Sequence, residues 1–114
     1  MSFSDLLPGA ACAIVEIAKL HGYALNPLHP EGRHKARVFL SALGIHQSDA
    51  EWLRSAILAA VLTTGFSSQR EDRFGVRYVL DIELERHGKR ARVRTGWILR
   101  SGEVCPRLTT CYVV

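Results

Sequence analysis

Two segments of alternating polarity, residues 76–85 and 90–97, flank the dipeptide His87-Gly88 and constrain the fold more than any other part of the sequence. In both segments apolar side chains alternate with polar ones, which is the period of a β-strand that has one buried face. Glycine takes the positive φ of a tight turn at no steric cost. The pattern therefore predicts an antiparallel hairpin that turns at His87-Gly88.

A two-residue turn also sets the register of this hairpin. The predicted charged pairs are Glu85 with Arg90, Glu83 with Arg92 and Asp81 with Arg94. The predicted pairs of the opposite, apolar face are Leu84 with Ala91, Ile82 with Val93, Leu80 with Thr95, and Tyr78 with Trp97. Because a slip of one residue would exchange the two faces, the sequence specifies this register strongly.

Two helices are predicted before the hairpin. The first spans about residues 33–43 and ends at Gly44, and its buried stripe comprises Ala36, Phe39, Leu40 and Leu43. Ser48 and Glu51 have the spacing of a capping box that starts the second helix. Leu53, Ile57, Ala60 and Val61 form the predicted buried stripe of this second helix, which ends at Gly65.

The remaining segments complete an α+β prediction. Residues 9–21 form either a short helix or, over 13–16, an edge strand, and residues 65–75 form a loop. Residues 107–114 predict a further strand, with Leu108, Thr110 and Tyr112 on one face and Arg107, Thr109 and Cys111 on the other. We therefore expect one domain over residues 1–114, in which two or three N-terminal helices pack on a C-terminal antiparallel sheet of three to four strands.

Composition limits the class of protein. No apolar run approaches the roughly 18 residues of a membrane-spanning helix, and the N-terminus lacks the pattern of a signal peptide. Three cysteines leave at least one unpaired, and their spacing is typical of neither a zinc site nor a disulfide framework. We expect a cytoplasmic protein of a reducing compartment, with no membrane, metal or cofactor. Phosphate loops and the common hydrolase motifs are also absent from the sequence.

A net charge of +4 favours an anionic partner, and basic residues concentrate in two segments. In residues 89–94, cross-strand carboxylates favour a solvated salt-bridge face over phosphate contact. In residues 29–37, basic side chains start a helix against the preference of its dipole, and a bound anion would relieve that conflict. The alternative is that Lys35 only extends along the rim of the core and that His29 only occupies a turn.

Four stretches carry a resemblance to a known family: Tyr23–Phe39, Leu43-Gly44, Val93–Ile98 and Pro106–Thr110. They resemble an uncharacterised bacterial family that occurs as small stand-alone proteins and as C-terminal modules of polymorphic and contact-dependent inhibition toxins. N-terminal helices followed by an antiparallel sheet are also similar to the barnase–EndoU–colicin–RelE class of ribonucleases, which is an analogy of fold alone. The stand-alone length favours an intracellular toxin.

The resemblance implies a metal-independent ribonuclease that acts by attack of the RNA 2′-hydroxyl, with RNA and a cognate antitoxin or immunity protein as partners. Its basic and polar positions fall on His29 for proton transfer, on Lys35 and Arg107 as phosphate clamps, and on Thr109 or Thr95 for orientation of the phosphate. The resemblance also covers Arg94 and Thr95, and we expect these two residues and His34 to contact the substrate. The alternatives are a non-catalytic module that binds RNA, a nucleotide or a protein, and an interaction domain that pairs through a sheet edge at Val113 and Val114.

Overall fold

A computed structural model describes residues 5–114. The helical half contains a 3₁₀ turn at Ala10–Cys12, α1 at Ile17–Lys19, a π-helical turn at Leu20–Ala24, α2 at Arg33–Leu43, a 3₁₀ turn at Gln47–Asp49, and α3 at Ala50–Ala60. The strands that follow are β1 at Ser68–Asp72, β2 at Gly75–Arg86, β3 at Lys89–Arg100 and β4 at Arg107–Val113. The predicted α+β class is confirmed. Residues 1–4 of the predicted domain lie outside the described residues.

The four strands form one antiparallel sheet in the order β1-β2-β3-β4. The prediction of a loop over residues 65–75 is wrong, because β1 lies within it and pairs with β2 from Ser68 to Asp72. The β1 sequence is polar throughout and its side chains are almost all exposed, so it has no apolar alternation to mark it. Its strand conformation comes from backbone pairing with β2 at the edge of the sheet.

The hairpin of β2 and β3 has the register that the sequence predicts. All seven predicted cross-strand pairs are formed, from Glu85 with Arg90 to Tyr78 with Trp97. The three charged pairs are ion pairs with N–O distances of 2.9–3.1 Å. Both turn residues have positive φ, 52° at His87 and 81° at Gly88. The inner face contributes Leu80, Ile82, Val93 and Trp97 to the core.

A β-bulge changes which residues of β4 face the core. Trp97 pairs with Leu108 while its neighbour Gly96 pairs with Thr110, so Thr109 is an extra residue on the edge strand. The predicted faces of β4 are therefore wrong beyond Leu108, because the inner face continues through Cys111 and not through Thr110. Leu108 and Cys111 are both buried, although they are three positions apart.

Helix α2 has the bounds that the sequence predicts, and helix α3 begins differently. Ala36, Phe39 and Leu43 of α2 are buried, whereas Leu40 of the predicted stripe is 43% exposed. The predicted capping box of α3 is displaced, since a 3₁₀ turn precedes the helix and the Asp49 carboxylate accepts from the amide of His46 at 2.8 Å. Helix α3 ends at Ala60, ahead of Gly65. Leu53, Ile57 and Val61 form its buried stripe, and Ala60 is partly buried.

The segment before α1 is tied to the open edge of β4, so both predictions for residues 9–21 apply in part. The Ile14 amide donates to Pro106 O at 2.8 Å and the Leu108 amide donates to Ile14 O at 2.9 Å, which is a single parallel bridge and not a full strand. From the other side, Arg54 of α3 donates to Val15 O at 2.9 Å.

The same arrangement joins Cys12 to Cys105 in a disulfide, while Cys111 is free and buried. The predicted unpaired cysteine is Cys111, whereas the spacing of the cysteines did not indicate the disulfide, because the bridge between Ile14 and Arg107 brings together segments 93 positions apart. The expected reducing compartment rested partly on unpaired cysteines and loses that support. No helix within residues 5–114 has the length and apolarity needed to cross a membrane.

Candidate active site

A cleft with a volume of about 520 Å³ lies beside the free edge of β4. Glu16, Lys19 and Tyr23, from α1 and its flanking turns, form one wall. Lys35 in the first turns of α2 forms another, and residues 108–111 of β4 line the remaining side. The cleft exists because the chain pairs with β4 only at Ile14 and then turns away into α1.

Lys35 is the central cation of this cleft. Its Nζ donates to Thr110 Oγ1 at 3.0 Å and lies 3.5 Å from the hydroxyl oxygen of Tyr23. The ammonium also lies 4.8 Å from the ring centre of Tyr23 and 5.5 Å from that of Tyr112. No ion pair to Lys35 is formed within residues 5–114. The partly buried ammonium is therefore held by neutral groups alone, and its charge is not cancelled locally.

His29 lies behind the cleft wall, and Tyr23 separates it from the cleft. Its ring packs edge-on against the ring of Tyr23, with 4.7 Å between the centroids. Its Nδ1 accepts hydrogen bonds from the amides of Glu31 and Gly32, both at 3.0 Å. These donors assign the proton of the neutral ring to Nε2. His29 thus caps the turn that leads into α2, and Nε2 is the nitrogen left for proton transfer.

Arg107 lies outside the cleft, on the side opposite to His29, and is separated from it by one residue. Two of its guanidinium nitrogens lie 3.3 and 3.5 Å from the carboxylate oxygens of Glu103, and Nη1 lies 3.8 Å from Glu16 Oε1. Glu16 lines the cleft and Arg107 does not. The charge of Arg107 is consequently compensated, and this residue supports a cleft carboxylate more directly than it reaches a ligand.

The bulge in β4 determines which threonine hydroxyl forms a hydrogen bond with Lys35. Thr109 lines the cleft and is exposed, but the hydroxyl that bonds to Lys35 belongs to Thr110. A regular strand would have placed these two side chains on opposite faces of the sheet. Both threonines therefore line the cleft, and the Thr110 hydroxyl is the one that contacts the ammonium.

The three residues predicted as substrate contacts are separate from one another. His34 is exposed and lines a smaller groove of about 280 Å³ on the other side of Lys35. Arg94 donates two hydrogen bonds to Asp81, at 2.9 and 3.0 Å, on the outer face of the sheet. The hydrogen bond from Arg94 lowers the pKa of the Asp81 carboxyl below its usual range.

Thr95 is placed in the core and does not line the cleft. Its side chain is fully buried, and its hydroxyl donates to Leu80 O at 2.8 Å and accepts from Trp97 Nε1 at 2.9 Å. The confirmed register requires this position, since Thr95 faces Leu80 on the inner side of the sheet. We assign Thr95 a structural role, which is to satisfy the buried indole of Trp97.

Cys111 lies at the base of the cleft but is not an activated nucleophile. Burial raises the pKa of its thiol to about 12, so the thiol is protonated at neutral pH. No group of three His, Cys, Asp or Glu side chains suited to a metal ion occurs in the described range, residues 5–114.

Sequence reasoning found Lys35 and Thr109 but missed three residues that complete the cleft. Tyr23 begins the first stretch that carries the family resemblance, which was the available signal. Thr110 bonds to Lys35 only because of the bulge, and Glu16 reaches the cleft only because Ile14 pairs with β4. Neither the bulge nor the pairing of Ile14 with β4 can be recognised from the local periodicity of the sequence.

A family model described as a domain of unknown function (DUF6883) matches residues 6–114. The chain belongs to this family. The match covers the cleft, the hairpin and the disulfide together, so all three are features of one DUF6883 domain. Neither a curated protein nor a solved structure matches the chain. The predicted membership of an uncharacterised domain family is confirmed, while toxin context and ribonuclease activity stay predictions.

Proposed function

We propose that this DUF6883 protein is a metal-independent ribonuclease toxin whose cleft binds a phosphate of RNA at Lys35. The observation that carries the proposal is the uncompensated Lys35 ammonium, held between two tyrosine rings and a threonine hydroxyl. An anion at this point would supply the counter-charge that the described residues do not. Thr109 and Thr110 add hydroxyl donors for the oxygens of a phosphate.

The reaction that fits such a cleft is attack of the RNA 2′-hydroxyl on the adjacent phosphate. A base takes the proton of the 2′-hydroxyl, the bond to the 5′-oxygen breaks, and an acid protonates that leaving oxygen. The products are a 2′,3′-cyclic phosphate and a free 5′-hydroxyl. The Lys35 ammonium would stabilise the negative charge that develops on the phosphorane, which is the largest contribution expected of a single group.

Glu16, which lines the cleft, and His29, which lies behind Tyr23, are the candidates for the two proton transfers. The Glu16 carboxylate lines the cleft and lies near the Arg107 guanidinium, so it is our candidate for the base. His29 is our candidate for the acid in its imidazolium form, which would release the amide hydrogen bonds at Nδ1 and donate its Nε2 proton past the ring of Tyr23. RNA as the proposed substrate favours action in the bacterial cytoplasm, where a cognate antitoxin would restrain it.

A non-catalytic RNA- or nucleotide-binding module is the second candidate. It is favoured by the engagement of His29 Nδ1 in capping and by the ion pairs of Arg107, which leave phosphate contact as the chief capacity of the cleft. Both candidates share the anion site at Lys35 and differ only in turnover.

One experiment separates the two candidates. Purified protein is incubated with total bacterial RNA in EDTA, and the RNA is resolved on a denaturing gel. We expect shortened RNA that ends in a 2′,3′-cyclic phosphate. Intact RNA together with a salt-sensitive mobility shift on a native gel would support the binding module instead. Intact RNA with no shift would contradict both.

Two variants test the proposed proton transfers in the same assay. Glu16→Gln keeps the shape of the cleft wall and removes the base. His29→Asn keeps a side-chain acceptor for the turn and removes the imidazole. We expect each to lower the cleavage rate about 100-fold while RNA binding persists. Unchanged cleavage in either variant would remove that residue from the mechanism.

A further inference from the structure

A shallow groove of about 230 Å³ lies on the outer face of the sheet, across β4 from the cleft. The groove is deepest at Gly96, because glycine has no side chain to fill the space between Val79 and Thr110 of the neighbouring strands. A Cβ at Gly96 would lie 3.1 Å from both Thr109 Oγ1 and Thr110 Cγ2. Any larger residue at this position would fill the groove.

Two arginines border this groove in an arrangement that costs stability. Arg70 of β1 and Arg77 of β2 lie directly opposite each other, and like charges at such positions repel. Arg77 is ion-paired with Asp72 at 2.6 Å, whereas Arg70 forms no ion pair in the part of the chain that the structure describes and shares the charge of Asp72 only at longer range. The charged pairs Asp81–Arg94, Glu83–Arg92 and Glu85–Arg90 of the same outer face all have opposite signs. Two arginines face one nearby carboxylate, that of Asp72, so the groove carries a net positive charge among the described residues.

Thr109 and Thr110 border both the groove and the cleft. They lie on an edge strand, at the bulge that gives β4 its extra residue. A ligand that occupies the cleft can consequently continue over this edge onto the outer face.

We infer that the groove is a second subsite for single-stranded RNA, which takes the nucleotide next to the phosphate bound at Lys35. This inference rests on the proposed function and specifies the form of its substrate. The strand passes over the β4 edge at Thr109, and its next phosphate is held by Arg70 and Arg77. The flat surface at Gly96 admits an unstacked nucleotide, as single-stranded RNA presents and a duplex does not.

The test is binding of a labelled RNA decamer of mixed sequence in which every ribose is 2′-O-methylated, so that it cannot be cleaved. Fluorescence anisotropy is measured at several salt concentrations with wild-type protein, Arg70→Ala, Gly96→Val and Lys35→Met. Arg100→Ala removes an exposed arginine at the end of β3 that does not line the groove, and it is the matched control. Thermal unfolding confirms that each variant is folded.

We expect Arg70→Ala and Gly96→Val each to weaken binding roughly fivefold or more, and Arg100→Ala to leave it unchanged. Loss of one phosphate contact in Arg70→Ala should also reduce the slope of log K against log salt by about 0.7. If Arg70→Ala binds like Arg100→Ala while Lys35→Met binds weakly, the groove is not a subsite and the cleft proposal stands. If Lys35→Met binds like wild type, or wild type does not bind, the proposed function fails as well.

Discussion

Methionine in place of Lys35 is expected to lower the rate of RNA cleavage at least about 100-fold. Methionine keeps an unbranched apolar stem between the rings of Tyr23 and Tyr112 but carries no charge for the phosphate. The effect should appear in the rate constant under saturating RNA as well as in affinity, because the negative charge on the phosphate increases in the transition state. Initial rates with labelled RNA in EDTA measure it.

Lys89→Met is the matched control for this prediction. Lys89 is an exposed lysine at the hairpin turn and its Nζ lies 3.5 Å from Ser41 O, so its loss changes the net charge by the same amount without touching the cleft. We expect wild-type rates from Lys89→Met and equal thermal midpoints for both variants. A Lys35→Met protein that cleaves RNA within a few-fold of wild type would contradict the assignment of Lys35.

Removal of the disulfide is expected to lower the free energy of unfolding by about 3–5 kcal/mol. The bond joins residues 93 positions apart, so it closes most of the chain into a loop and restricts the unfolded state. The double variant Cys12→Ser, Cys105→Ser should therefore unfold at a clearly lower denaturant concentration than oxidised wild type. Urea titrations with and without a thiol reductant measure the difference.

The reductant supplies the internal control. Reduced wild type should match the double variant, and the double variant itself should not respond to reductant because its remaining Cys111 is free. Equal stabilities of oxidised wild type and the double variant would show that the bond contributes nothing to folding. The disulfide anchors the segment that carries Glu16, so reduced protein is also the state in which that cleft wall is least restrained.

Local patterns were sufficient for the hairpin and for α2. In β2 and β3 the alternation, the opposite charges and the turn residues all specify one register, and a slip would expose Leu80 and Ile82. In α2 the helical period and Gly44 agree, and Gly44 has the left-handed φ of 65° that ends a helix. Elements of this kind are predictable because neighbouring residues alone decide them.

Features that depend on distant pairing were not predictable in the same way. Strand β1 forms because it pairs with the edge of β2. The bulge at Thr109 forms because of the way in which β4 pairs with β3. The contact of Cys12 with Cys105 follows from the bridge at Ile14. None of these has a periodic signature, because the partner that decides each one is remote in sequence.

The candidate site combines both kinds of information. Lys35 was predictable, since helix geometry places it at the edge of the buried stripe where α2 meets the sheet. Its partners were not, because Thr110 depends on the bulge and Tyr23 on a π-helical turn. The positive charge of Lys35 in the cleft could thus be inferred from the sequence. The neutral groups that surround Lys35 and leave this charge uncompensated could not be inferred.

The ammonium signal of Lys35 in NMR spectra of ¹⁵N-labelled protein tests the central claim most directly. Lysines occur only at positions 19, 35 and 89, so the three signals are readily assigned with single variants. Addition of the 2′-O-methylated RNA decamer is expected to shift the Lys35 signal in a saturable manner and to leave the Lys89 signal in place. A Lys35 signal that does not move at saturating RNA would contradict the proposal that this cleft binds a phosphate of RNA.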